Sequence, residues 1–179
     1  MSHDSGFTLL EILATLAIVA LLATLASPSF QETLLNASRT QVLNALIRSL
    51  HLARAESLRS GRDAVVCPVD QDGRCVGRAE NWAGGWRVFV SAAGSDPSVF
   101  DPADRLLLAQ NPTQTGQLQA NRNAFVYRPF NRRSTNGTLV YCDRRGERSA
   151  RAVIVSHTGR PRISDHTVGG DVLRCPLVS

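Results

Sequence analysis

The chain has 179 residues, a net charge of +5 and four cysteines, and all twenty of its basic residues are arginine. This length provides one domain with a modest hydrophobic core once an apolar segment is set aside. The composition is otherwise that of a globular protein, and the sequence contains no internal repeat or low-complexity tract.

The N-terminal segment is the first predicted element. Residues 7–26 carry a single charge, and a helix of this length rises about 30 Å, enough to cross the hydrocarbon of a bilayer. A secretory signal peptide is not predicted. In such a peptide a cleavage site of small residues follows the apolar run, whereas here the small residues 5–6 precede it. Glu11 predicts a function, since a carboxylate within an apolar helix costs roughly 2.5–3.5 kcal/mol on insertion scales. Residues 7–38 contain no arginine, so an N-terminal amine created by cleavage before Phe7 would supply the neutralising cation.

Residues 6–11, Gly-Phe-Thr-Leu-Leu-Glu, followed by an apolar helix resemble the type IV prepilin signature. That family comprises pilins and the pseudopilins of type II secretion. The resemblance implies cleavage after Gly6 by a prepilin peptidase, N-methylation of Phe7, and pairing of Glu11 with a neighbouring subunit's N-terminus during filament assembly. It also implies that Pro28 kinks the helix or lets it melt locally. Family leaders usually carry basic residues, whereas leader 1–6 has none, so either the peptidase tolerates this leader or the chain starts upstream.

An amphipathic pattern follows residue 28 and continues the helix. Apolar side chains recur every three to four residues and predict a face that is buried against a sheet; they are Phe30, Leu34, Val42, Leu46, Leu50 and Ala53. Gly61 predicts the C-terminal end of this helix. The pattern therefore predicts one long helix over residues 7–60, half in the membrane and half packed on a globular head.

The rest of the chain predicts β-structure. Short apolar runs bounded by Gly, Pro and Asp predict strands at 64–67, 86–90, 137–142 and 151–156, with further strands at 106–108 and 124–127. Residues 91–105 and 109–123 are predicted as loops, and Trp82 and Trp86 as packing residues. The fold class is α+β, and the resemblance implies the type IV pilin fold: leader 1–6, membrane and assembly segment 7–28, and head 29–179 with an antiparallel sheet.

The four cysteines allow three pairings. No CxxC spacing or nearby histidine predicts a zinc site. An exported domain favours two disulfides. Local loop closure favours Cys67–Cys75, which leaves Cys142–Cys175 to hold the C-terminal tail.

The basic residues are concentrated in one window. Residues 122–162 contain ten arginines and two acidic residues, a net charge of +8. Such asymmetry indicates either a polyanionic partner or a solvated basic face. Gly159 predicts a turn, after which Arg160 and Arg162 leave on the same side of an extended segment that Pro161 stiffens. Guanidinium forks of this kind bind phosphate oxygens without reading sequence, and salt weakens such binding. Further candidates are Arg132, Arg133, Arg144, Arg145 and Arg148.

Residues 137–143, 151–156 and 158–162 are similar to the FimT/FimU/GspH group of minor pilins and pseudopilins. Within that group, a C-terminal Gly-Arg-x-Arg motif marks FimT-like proteins that bind DNA for uptake in natural transformation. The resemblance implies a minor pilin, anchored in the inner membrane by one span with a periplasmic head and then assembled in the pilus. Its partners would be other pilins, the prepilin peptidase and double-stranded DNA.

An alternative function is a GspH-like pseudopilin of type II secretion, in which the basic surface faces acidic surfaces of neighbouring pilins. An enzyme is not predicted, because the sequence has no HExxH, GxSxG, P-loop or GxGxxG motif and its histidines are scattered. No cofactor or metal is predicted.

Overall fold

The computed structural model describes residues 8–70, 74–75, 82–93, 100–111, 115–130 and 133–175. The chain divides into two compact units, residues 1–37 and residues 38–179. The second unit holds the hydrophobic core and every described strand. It is called the head below.

Helix α1 extends over Leu9–Ser60 and has a defined signal at each end. The Thr8 hydroxyl accepts a hydrogen bond from the Glu11 backbone N–H at 3.3 Å, so Thr8 caps the first turn. A Ser or Thr cap with Glu three residues later is a capping-box spacing. At the other end, the Gly61 N–H donates to the Ser57 carbonyl at 3.0 Å with φ of +66°, which is a left-handed C-terminal stop. The predicted end of the helix is confirmed.

By length and composition, no single straight helix among the described residues is long and apolar enough to cross a membrane. The segments Leu9–Thr24 and Ser29–Ser60 meet that criterion together, across a bend between them.

Eight short strands form two antiparallel four-stranded sheets in the head. The first sheet has the order β3-β2-β1-β5 and the second has the order β4-β6-β7-β8. In chain order the strands are β1 Ala64–Pro68, β2 Trp86–Val90, β3 Arg105–Gln110, β4 Gln117–Ala120, β5 Phe125–Tyr127, β6 Gly137–Cys142, β7 Arg151–Val155 and β8 Pro161–Ser164.

One core joins both sheets to the helix. Alternate residues of each sheet face α1 and share a cluster with Leu46, Leu50 and Ala53, which have no exposed surface. Trp82 and Trp86 are buried in the same cluster, which confirms their predicted packing role. The remaining strand residues pack on the outer faces, around Phe89 in the first sheet and Leu173 in the second.

Phe30 and Leu34 differ from the prediction. Both side chains are exposed, and the buried stripe of the helix begins at Val42. Residues 30 and 34 belong to the first unit, and none of the described side chains of that unit is in the core, so their apolar periodicity does not mark burial within the head.

Two strands lie where the sequence predicted none. Strand β4 falls within the predicted loop 109–123, and β8 follows the predicted turn at Gly159. Leu118 is the one buried residue of β4, and β8 contains no fully buried residue. Edge strands of this kind lack an apolar alternation, and they form because a neighbouring strand supplies the hydrogen bonds. The strand predicted at 106–108 is confirmed as part of β3.

Both predicted disulfides are present. Cys67 bonds to Cys75 and Cys142 bonds to Cys175, with Cα–Cα separations of 5.6 and 5.8 Å. The second bond closes 33 residues and holds the C-terminal segment, including buried Leu173, on the outer face of the second sheet.

Glu56 joins the last turns of α1 to the edge of the first sheet. Its carboxylate accepts hydrogen bonds from Arg59 at 2.7 Å and from Arg105 of β3 at 2.5 Å. Hydrogen bonds from Arg59 and then Arg105 lower the pKa of Glu56 from its usual 4.5 to about 2. The folded state therefore binds a proton at Glu56 less readily than the unfolded state does.

We expect Glu56→Gln to lower the melting temperature at neutral pH. Because the pKa of Glu56 is lowered on folding, the ionised carboxylate stabilises the folded state fully above pH 4.5. This stabilisation is lost as the pH falls toward 2. The gap between the wild type and the variant should therefore close over that interval in thermal melts followed by circular dichroism. Glu147→Gln, at an exposed carboxylate, is the control. A gap that does not change with pH would contradict this linkage.

Candidate functional site

The connection between β7 and β8 carries the Gly-Arg-Pro-Arg segment. The Gly159 N–H donates to the Ser156 carbonyl at 2.8 Å, and the Ser156 N–H donates to the Arg160 carbonyl at 3.1 Å. Gly159 has φ of +71°, which matches a tight hairpin turn closed by a bulge with a left-handed glycine. This local geometry requires glycine at position 159.

Gly159 also packs directly on an aromatic ring of the other sheet. A Cβ atom at this position would lie 2.7 Å from Cε1 of Tyr127. Tyr127 ends β5 and is 1% exposed. The turn of the second sheet is therefore seated on the edge strand of the first sheet.

Arg160 and Arg162 lie on one face of the hairpin. Arg162 is opposite Ile154 in the ladder, and the bond between Ser156 and Arg160 continues that ladder by two residues. Because directly opposed residues share a face, both arginines lie on the face of Ile154, away from the helix. Both are exposed, and the described part of the chain provides no ion pair for either.

Arg144, Arg145 and Arg148 lie at the opposite end of β7. They belong to the connection between β6 and β7, which ends at Ala150, whereas the Gly159 turn begins at Ser156. Six residues of strand span about 20 Å. The structure therefore separates the predicted arginines into two groups.

Arg145 is engaged within its own turn. Its Nε and one terminal nitrogen donate to the two carboxylate oxygens of Asp143 at 3.0 and 2.7 Å. Burial by itself would raise the pKa of Asp143, but the hydrogen bonds from Arg145 outweigh it and lower this pKa. Nearby, Arg39 of the helix donates to the Ser149 carbonyl at 2.9 Å. At this end, Arg39 and Arg145 hold the β6–β7 connection in place.

A cavity of about 310 Å³ lies beside the Gly159 turn. It opens between the end of α1, the segment after β5 and the turn after β7, and it is called the Tyr127 pocket. Its lining residues are Arg54, Ser57, Leu58, Tyr127, Arg128, Phe130, Arg133, Ser134, His157 and Thr158.

The Tyr127 pocket is cationic. Arg128 lies 3.7 Å from the Asp63 carboxylate and also donates to the Arg133 carbonyl at 3.0 Å. Burial raises the pKa of Tyr127, and the positive charge of Arg54 offsets part of that rise. The Tyr127 hydroxyl is buried and has no hydrogen-bond partner among the described residues.

Three predicted site residues lie outside the described part of the chain: Gly6, Phe7 and Arg132. Glu11 lies in the first turn of α1 with its side chain exposed, and Arg133 lines the Tyr127 pocket. Four lining residues were not predicted from the sequence: Arg54, Tyr127, Phe130 and His157. The last three lie within the basic window 122–162, which was their only signal, and no sequence motif links Arg54 to them. No cluster able to hold a metal is found in the described ranges.

A family model described as type II transport protein GspH matches residues 42–159, and a model of the prokaryotic N-terminal methylation motif matches residues 1–27. Two crystal forms of the type IV minor pilin FimU from Pseudomonas aeruginosa are similar in structure. One is 19% identical, with a TM-score of 0.50, and covers 75% of this chain and 90% of that chain. The other is 16% identical, with a TM-score of 0.49, and covers 70% and 91%.

No curated protein matches the sequence. The identities to the solved structures are low enough that the likeness shows the fold alone. On that point the prediction is confirmed, since the α+β head and long N-terminal helix have the type IV pilin fold.

We expect Gly159→Ala to destabilise the protein by roughly 2–5 kcal/mol, the sum of left-handed strain and overpacking against Tyr127. Gly146→Ala is the matched control, because Gly146 has φ of +73° but nothing within 4 Å of the added carbon. That variant should lose only roughly 1–2 kcal/mol. Denaturant unfolding followed by tryptophan fluorescence measures both, and equal losses would show that the Tyr127 contact contributes nothing.

Proposed function

The chain belongs to the GspH family, and we propose that it is a minor pilin of a type IV pilus that binds DNA through the hairpin carrying Arg160 and Arg162. The family match covers most of the head, and the methylation motif covers the N-terminus. Together they establish a pilin-like or pseudopilin-like protein of a type IV pilus or type II secretion family. Proteins of this family are structural and are not enzymes.

The filament role is supported by the N-terminal helix. Side chains of residues 9–24 are exposed in the single chain, although most are apolar. Such a surface is stable only in lipid or against other apolar helices. We infer that residues 7–28 anchor the protein in the inner membrane by one span after removal of the leader 1–6. The same segment would then pack against other pilins in the filament, with residues 29–179 in the periplasm and Glu11 paired with a neighbour's N-terminus.

DNA binding is supported by one observation: Arg160 and Arg162 lie exposed on one face of the β7–β8 hairpin, with no carboxylate partner in the described residues. Pro161 fixes the backbone between them, which lowers the entropy lost on binding. Each guanidinium can bind two phosphate oxygens. Contacts of this type neutralise phosphate without reading bases, so the binding is independent of sequence and sensitive to salt.

A second candidate function is a minor pseudopilin of a type II secretion system. The description of the matching family, type II transport protein GspH, favours it. In that role, the exposed arginines face acidic surfaces of neighbouring subunits instead of DNA.

We expect the Arg160→Ala/Arg162→Ala variant to lose salt-sensitive binding of a duplex. The full chain in neutral detergent is titrated with labelled double-stranded DNA at two salt concentrations, and fluorescence anisotropy is measured. The salt slope of log K should fall by roughly 2, about one for each lost phosphate contact. Arg144→Ala/Arg148→Ala, about 20 Å away, is the control and should change binding much less. Absence of binding by the wild type at low salt would leave the pseudopilin function.

We also expect Glu11→Gln to block assembly without preventing membrane insertion, because the neutral side chain cannot pair with a cationic N-terminus. The protein should remain in the inner-membrane fraction and disappear from filaments sheared from cells, as measured by immunoblot. Glu32→Gln in the same helix is the control. Normal recovery of the Glu11 variant in filaments would contradict the assigned role.

A further inference from the structure

We propose that the Tyr127 pocket is a subsite for one unpaired nucleotide of single-stranded DNA, with the phosphate held by arginines and the base stacked on Phe130. The inference rests on the DNA-binding function proposed above and adds a second, distinct contact to it. It predicts that single strands bind through residues that a duplex does not use.

The charges of the pocket favour a phosphate. Arg54 and Arg133 have no ion pair with any described carboxylate, and Arg128 is a third arginine in the lining. The described lining of the pocket contains no carboxylate, and Asp63 lies outside it beside Arg128. A concave site with excess positive charge concentrates an anion, and the planar guanidinium fork matches the oxygen geometry of a phosphate.

The apolar side of the pocket favours a base. Phe130 is 72% exposed and Leu58 is 55% exposed, and both line the same cavity as the arginines. Phe130 also has φ of +50°, a left-handed conformation that a bulky residue rarely adopts. Gly61 lies behind its ring, because a Cβ at that glycine would be 3.5 Å from Cε2 of Phe130. The backbone therefore holds an aromatic side chain in solvent beside cations, which is the arrangement used for stacking single-stranded bases.

The size and position of the pocket favour a single strand over a duplex. A volume of about 310 Å³ is at the lower end of the range for small-molecule sites, roughly 300–1,000 Å³. Bases inside a duplex are stacked on each other and cannot reach Phe130 without leaving the helix. His157 and Thr158 line the pocket, and Arg160 follows two residues later in the same hairpin. A strand bound at the hairpin can therefore continue into the pocket.

The test compares a labelled twelve-nucleotide oligothymidylate with a twelve-base-pair duplex, using the full chain in neutral detergent. Phe130→Ala should weaken oligothymidylate binding about tenfold or more, the typical loss of one stacked base, and leave duplex binding unchanged. Phe130→Trp should retain the affinity, because the ring is kept. Val168→Ala, an exposed apolar residue elsewhere on the head, is the control. Since Phe130 is exposed, its replacement should not unfold the head, and a thermal melt verifies this.

Three results would overturn the subsite. The first is an unchanged affinity of Phe130→Ala for the oligothymidylate, and the second is an equal loss of affinity for both nucleic acids. The third is displacement of the oligothymidylate by an oligoglutamate peptide whose binding depends on Arg54 but not on Phe130, because the partner would then be an acidic protein surface. Duplex binding that needs Arg160 and Arg162 would survive any of these results. Absence of any DNA binding by the wild type would instead overturn the proposed function as well.

Discussion

The head depends on one constraint: a single helix face must be covered by two separate sheets. Leu46, Leu50 and Ala53 are fully buried because residues of both sheets meet them. Two hydrogen bonds fix the register of the helix on the first sheet. The Trp86 indole donates to the Ser49 hydroxyl at 2.8 Å, and the Ser57 hydroxyl donates to the Tyr127 carbonyl at 2.9 Å. Buried polar groups of this kind are destabilising when they are unpaired, so they specify one packing arrangement.

That register decides where the arginines lie. Arg39 contacts the beginning of β7 through Ser149, and Arg54 lines a pocket with His157 at the end of β7. Arg54 follows Arg39 by fifteen residues of helix, a rise of roughly 22 Å. This distance matches the length of β7 together with the turns at its two ends. The basic window of the sequence is therefore distributed over two ends of the head. One end contains the ion-paired Arg145, and the other contains the exposed Arg160.

The contact between Gly159 and Tyr127 links the fold to the candidate site. It brings the last hairpin of the second sheet against the edge strand of the first sheet. The absence of a side chain at 159 lets the turn approach the ring, and the same turn carries Arg160 and the pocket-lining His157. One glycine thus positions both the exposed hairpin and the pocket, because the left-handed turn and the close approach coincide at this residue.

The sequence by itself determined the features that depend on local patterns. The end of α1 at Gly61, the strands around 86–90, 137–142 and 151–155, and both disulfides follow from helix stops, apolar runs and loop closure. Edge strands β4 and β8, the exposure of Phe30, the separation of the arginines and the Tyr127 pocket were decided only by the tertiary structure. The reason is physical: an edge strand takes its order from a neighbour, and residues 54, 127 and 157 meet only where the helix and both sheets pack together.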